Sequence, residues 1–230
     1  MTNDPKIFAL AFLGGIIPAL FWLWFWLREN KEKPEPKILL AVCFILGMAG
    51  VALTLPIQKL IQSNVSSHEW QIIGWASVEE IVKFAVVMLV VFRTSFTKNP
   101  IDWPIYFITA ALGFAAFENM LFLLKPLSVN QATVGLLTSQ LRFLGSTLLH
   151  AVSSGLVGIS IGLSFFMKKW VRKIYLFVGL VVAIALHSIF NFFIMNNNGS
   201  DFLQVFAFLW VATIIIMLLF EKVRRMSGEY

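Results

Sequence analysis

Apolar residues run along this chain in long blocks, and polar residues gather between them. Seven blocks stand out: 7–27, 38–59, 70–92, 104–125, 139–167, 174–195 and 201–220. Each is long enough to cross a bilayer core of ~30 Å at ~1.5 Å of rise per helical residue. The fifth is overlong, so it is expected to start later, tilt or project. Lys33-Pro34-Glu35-Pro36 breaks the chain between the first two blocks. The short polar segment 60–69 reads as a loop, and Asn196-Asn197-Asn198-Gly199-Ser200 as a turn. The pattern predicts an all-α, polytopic membrane helix bundle of about seven transmembrane helices. It forms a single integral-membrane domain over 1–230, with its chemistry expected within 70–195.

Composition supports this reading. Of 230 residues, 59% are hydrophobic and 13% charged, against roughly 25% charged in soluble domains. The single Cys43 excludes an internal disulfide and Cys-rich zinc sites. The first block lacks a clear cleavage site and reads as a span rather than a secretory signal.

The net charge of +6 does not point to nucleic acid, because Lys and Arg punctuate the apolar blocks. Arg28, Lys31, Lys33 and Lys37 follow the first, and Arg93 and Lys98 follow the third. Lys168, Lys169, Arg172 and Lys173 follow the fifth, and Lys222, Arg224 and Arg225 follow the seventh. These alternate loops hold thirteen basic residues, and the opposite set holds Lys6, Lys59 and Lys125. The bias predicts an N-terminus outside and a C-terminus in the cytoplasm.

Charges within the blocks change the picture most. Glu79, Glu80 and Lys83 lie inside 70–92. An ionised group at mid-membrane costs about 2.5–3.5 kcal/mol on insertion scales, so such a cluster is first read as a functional site. Lys83 is i+4 from Glu79 and i+3 from Glu80, so it can pair with either. On the predicted topology, Glu79, Glu80, Glu118, His150 and His187 all fall roughly 10–17 Å below the outer surface. Four helices thus deliver carboxylates and imidazoles to a similar depth. Asn191 is one turn from His187, and Ser154 one turn from His150. Arg142 lies above His150, within reach of water or a carboxylate. Glu118 is a candidate partner for Lys83 or Arg142. Ser153 and Ser154 are assigned to packing, and several glycines to close helix contacts.

Two chemistries suit this set. A buried Glu can act as general base on water that attacks a peptide carbonyl, while His187 and Asn191 hold the oxyanion. That mechanism requires no cofactor. Alternatively, one Glu and two His can bind zinc with an open position for water, the candidates being Glu118, His150 and His187. No His-Glu-x-x-His helix and no Gly-x-Ser-x-Gly elbow occurs.

Four motifs on successive spans carry a family resemblance. They are Glu79-Glu80-x-x-Lys83, Gly113-Phe114-x-Ala116-x-Glu118-Asn119, Arg142 with His150 eight positions later, and His187-x-x-x-Asn191. Over about 70–195 the chain resembles the PrsW family of intramembrane proteases, within the group of CAAX-processing and bacteriocin-processing membrane endopeptidases. The resemblance implies Glu79 as the water-activating glutamate and His187 with Asn191 at the oxyanion. Glu80, Glu118 and His150 complete the catalytic set, and Lys83, Asn119 and Arg142 support it. CAAX-type members have Phe-x-x-x-His where this chain has Phe114-x-x-x-Glu118, so His150 is expected to supply the missing imidazole, or Glu118 to serve as a ligand. The implied substrate is a single-span, membrane-anchored protein such as an anti-sigma factor, cut near its extracytoplasmic side. The implied location is a prokaryotic plasma membrane. Two other classes fit the buried charges: a proton-coupled transporter, and a catalytically silent scaffold.

Overall fold

The computed structural model describes residues 4–28, 35–91, 97–129, 133, 141–196 and 202–228. Among them are seven long helices and no strand. In chain order these are α1 (Pro5–Arg28), α2 (Lys37–Asn64), α3 (His68–Val91), α4 (Asp102–Ser128), α5 (Ser146–Leu163), α6 (Lys169–Asn196) and α7 (Phe202–Gly228). Six apolar helices are long enough to cross a membrane: α1, α2, α4, the Leu141–Leu163 run that contains α5, α6 and α7. The other is α3, which carries Glu79, Glu80 and Lys83. At 24 residues it has a length of about 36 Å. The molecule is a polytopic membrane helix bundle.

The centre is built from α4 and α5, whose residues are mostly buried. Against α4 pack α1 and α2; against α5 pack α6 and α7; α3 lies along α2 and α6. The outer helices keep large apolar side chains exposed, among them Phe21, Leu53, Phe177 and Leu218, as a lipid-facing surface requires. Between helices in lipid, close van der Waals contact replaces the hydrophobic drive, so small residues mark the tightest crossings. A methyl group built on Gly113 of α4 would land on the backbone carbonyl of Phe44 in α2. One built on Gly47 of α2 would land on that of Ala110.

Three boundaries differ from the sequence pattern. Helix α2 runs on to Asn64, so the expected loop 60–69 shrinks to 65–67. Its polar end stays helical because Ser63 Oγ and Asn64 Nδ2 both donate back to the carbonyl of Leu60, and Val65 N–H closes onto that of Ile61. The overlong fifth block is divided by a turn at Gly145, with a short helical piece at 141–144 before α5. Trp22 Nε1 donates to Phe143 O at 3.1 Å, tying that piece to α1. Helix α7 continues past 220, where Glu221 pairs with Arg224 and Arg225 one turn on. The expected break at Lys33-Pro34, the end of the third block at Phe92, positions 139–140 and the turn over 197–200 lie outside the described residues.

Glu35, just ahead of α2, is anchored to the first turns of α4. Tyr106 Oη donates to Glu35. Burial, together with the neighbouring Asp102, pushes the Glu35 carboxyl up to about 8.

Candidate active site

Helix α3 places Glu79, Glu80 and Lys83 on its buried side, because spacings of one, three and four residues span a single helical face and its edge. Helix α4 supplies Glu118 and Asn119, the piece before α5 supplies Arg142, α5 supplies His150, and α6 supplies His187. The structure brings all eight into one connected polar cluster in an otherwise apolar interior.

Glu80 is the most fully engaged carboxylate. Its Oε1 accepts from Lys83 Nζ at 2.8 Å and from His187 Nδ1 at 2.8 Å. Ser153 Oγ adds a longer contact to Oε1 at 3.3 Å, and Ser154 Oγ donates to Oε2 at 2.6 Å. A buried carboxylate needs several donors to remain ionised in a medium of low dielectric, and Glu80 has three short ones, from Lys83, His187 and Ser154.

Glu118 belongs to a second group. Arg142 Nη2 donates to its Oε2, and His150 Nε2 stands 3.1 Å from the same oxygen. Of the two cations offered to Glu118 by the sequence, Arg142 is the one in direct contact. Arg142 also donates through Nε to Asn119 Oδ1 at 2.5 Å and through Nη2 to Ser146 Oγ at 3.0 Å. Asn119 in turn donates to Thr147 Oγ1 at 2.8 Å. The guanidinium stacks on the Phe122 ring at 4.0 Å.

Carboxylates only accept hydrogen bonds, so these contacts decide which imidazole nitrogens carry protons. His187 gives its Nδ1–H to Glu80, which leaves the Nε2 lone pair facing Glu79 Oε2 at 3.6 Å. His150 gives its Nε2–H to Glu118. Its Nδ1 lone pair then receives Lys83 Nζ at 2.7 Å and lies 3.9 Å from Glu79 Oε2. The two rings meet edge to face, 5.0 Å between centroids.

Glu79 differs from the other two carboxylates. Gln58 Nε2 donates to its Oε1 at 2.9 Å. Its Oε2 is buried, and among the described residues it has no hydrogen-bond partner, although Lys83 Nζ lies 3.6 Å away. Leaving a buried polar oxygen unsatisfied is costly, so its orientation calls for a function. The three donors of Glu79, His150 and His187 lie within 4.8 Å of one another. One carboxylate and two neutral imidazoles, each imidazole backed by a second carboxylate, form a donor set suited to zinc with an open position. The residues therefore fit a divalent metal. Glu118, named by sequence as a candidate ligand, stands behind His150 instead.

Asn191 is half-buried, one turn beyond His187 on α6, and among the described residues it makes no hydrogen bond to the cluster. Sequence reasoning missed the donors Ser153, Ser154 and Gln58. Only Ser154 carried a signal, its i+4 relation to His150. It also missed Phe114 as a ring face for Lys83 Nζ, 4.6 Å away.

A family model for PrsW family intramembrane metalloproteases matches residues 35–220. A protein named protease PrsW from Geobacillus kaustophilus is 26% identical over 86% of this chain and 87% of its own length. The one from Clostridioides difficile is 29% identical over 80% and 79%, and that from Bacillus subtilis 26% over 86% and 89%. No solved structure gives a significant match.

Proposed function

Because the chain belongs to the PrsW family of intramembrane metalloproteases, and is thus a multi-pass prokaryotic membrane protease, we propose that Glu79, His150 and His187 form its catalytic centre. The observation that carries this reading is the convergence of Glu79 Oε2 with His187 Nε2 and His150 Nδ1. These three residues would hold a zinc ion, which when bound supplies a Lewis acid for the peptide carbonyl and a lowered pKa for water.

The chain's own residues do the rest. Glu79 keeps one oxygen on Gln58 and turns the other to the space between the imidazoles, where it would serve as the anionic ligand. Glu80 and Glu118 fix the tautomers of His187 and His150, so His187 presents its Nε2 lone pair and His150 its Nδ1, which Lys83 Nζ holds in this structure and would yield to the ion. Lys83 balances the charge of Glu79 and Glu80. Arg142 holds Glu118 in place behind His150. Asn191 supplies a hydrogen bond to the oxyanion once a substrate carbonyl lies beside His187.

The substrate is a single-span, membrane-anchored protein of the anti-sigma-factor kind, cut near its extracytoplasmic side. Support comes from the bias of basic residues to alternate loops, which favours an N-terminus outside and a centre in the outer half of the membrane. The test is co-expression with a single-span reporter tagged at both ends, with the fragments sized. The expected result is one cut at the extracytoplasmic end of the reporter's span. A cut at the cytoplasmic end contradicts the sidedness, and an intact reporter contradicts this substrate class.

A further inference from the structure

The geometry points to Gln58 as a positioning residue that aims Glu79 at the reaction centre, an inference that rests on the catalytic reading of Glu79. Gln58 lies on α2, outside the four motifs. It is tied to α3 at two points. Its side-chain amide donates to Glu79 Oε1 at 2.9 Å, and its backbone carbonyl accepts from Trp75 Nε1 at 3.1 Å. Trp75 and Glu79 are i and i+4, so both contacts lie along one face of α3.

The two contacts have different consequences. The Trp75 indole fixes where residue 58 sits along α3. The amide then holds one oxygen of Glu79, which sets the plane of the carboxylate. With Oε1 held, Oε2 is turned toward His187 Nε2 at 3.6 Å and His150 Nδ1 at 3.9 Å. No other hydrogen bond to the Glu79 carboxylate occurs among the described residues, so without Gln58 the group is open to rotation about its terminal torsion, which is broad.

The chemistry of the donor also matters. A neutral amide orients a carboxylate without cancelling its charge. An Arg or Lys at this place would form a salt bridge with the carboxylate, and would reduce the oxygen's basicity and its attraction for a cation. Gln58 supplies direction while Lys83, already shared with Glu80, supplies the balancing charge.

The test is a double-mutant cycle on the full chain in detergent, with cobalt(II) as the probe. Cobalt affinity is measured for the parent, Gln58→Leu, Glu79→Ala and the double variant, and the thermal midpoint of each is taken without metal. Removing a group that orients a ligand typically weakens metal binding or activity ~10–100-fold. That loss is expected for Gln58→Leu in the parent background and is expected to vanish in the Glu79→Ala background. An unchanged affinity for Gln58→Leu, or an equal loss in both backgrounds, overturns the assignment. A parent protein that takes up no cobalt overturns the metal-centre reading instead. The same cycle, read as the rate of cutting the dual-tagged reporter, then decides for or against Gln58: a Gln58→Leu rate equal to the parent's overturns it.

Discussion

Glu79→Gln abolishes cleavage and leaves the bundle folded. The substitution keeps the shape of the side chain and removes the one fully buried carboxylate oxygen that has no hydrogen-bond partner among the described residues. Loss of the anionic ligand removes the hold on the ion, an effect expected to exceed the ~10–100-fold typical of losing a group that only orients a ligand. Stability behaves differently. Lys83 retains Glu80 at 2.8 Å, and neutralising a second buried carboxylate relieves its desolvation. The thermal midpoint in detergent therefore shifts by only a few degrees, equivalent to about 1 kcal/mol or less. Cutting of the dual-tagged reporter and thermal unfolding, measured on the same preparation, separate the two effects. Activity retained, or a folded state lost, would make Glu79 structural.

Lys83→Met has the opposite signature and the largest effect on stability. Lys83 is 1% exposed. It lies 2.8 Å from Glu80 Oε1, 3.6 Å from Glu79 Oε2 and 2.7 Å from His150 Nδ1. Methionine fills the space over the Phe114 ring but leaves two buried carboxylates without their shared cation. Breaking a buried pair from one side costs about 3–5 kcal/mol, most of it the penalty of the stranded charge. The thermal midpoint should fall sharply, and adding Glu80→Gln to Lys83→Met should recover part of the loss by removing one stranded charge. A Lys83→Met protein that unfolds at the parental temperature would show that both carboxylates are already neutral.

Much of this architecture is legible in the sequence, for physical reasons. A helix that crosses a membrane must be apolar over its length, so the helices announce themselves as blocks. Charges inside a block are costly, so Glu79, Glu80, Lys83, Glu118, Arg142, His150 and His187 stand out against their background. Helical spacing relates Lys83 to both of its carboxylates. What spacing cannot do is choose among partners on different helices. Depth along the membrane gave Glu118 either Lys83 or Arg142, and the packing of α4 against the start of α5 puts Arg142 in contact. Nor does depth tell which carboxylate faces both imidazoles. That depends on rotation about each helix axis, which turns Glu79 into the centre and sets Glu118 behind His150. Ser153, Ser154 and Gln58 are ordinary polar residues whose partners lie 73, 74 and 21 positions away, and no local pattern marks such contacts. The polar end of α2 looked like a loop because Ser and Asn favour loops. Here their side chains bond back to Leu60 and prolong the helix.

The measurement that tests the central claim most directly is cleavage of the single-span reporter by purified protein, before and after a strong chelator, with Glu79→Ala as the blank. Glu79, His150 and His187 acting together as a metal centre predict that chelation abolishes cleavage and that added zinc restores it in the parent but not in the blank. Cleavage that survives complete chelation, yet is lost in Glu79→Ala, would contradict the metal centre and leave a glutamate acting on water alone.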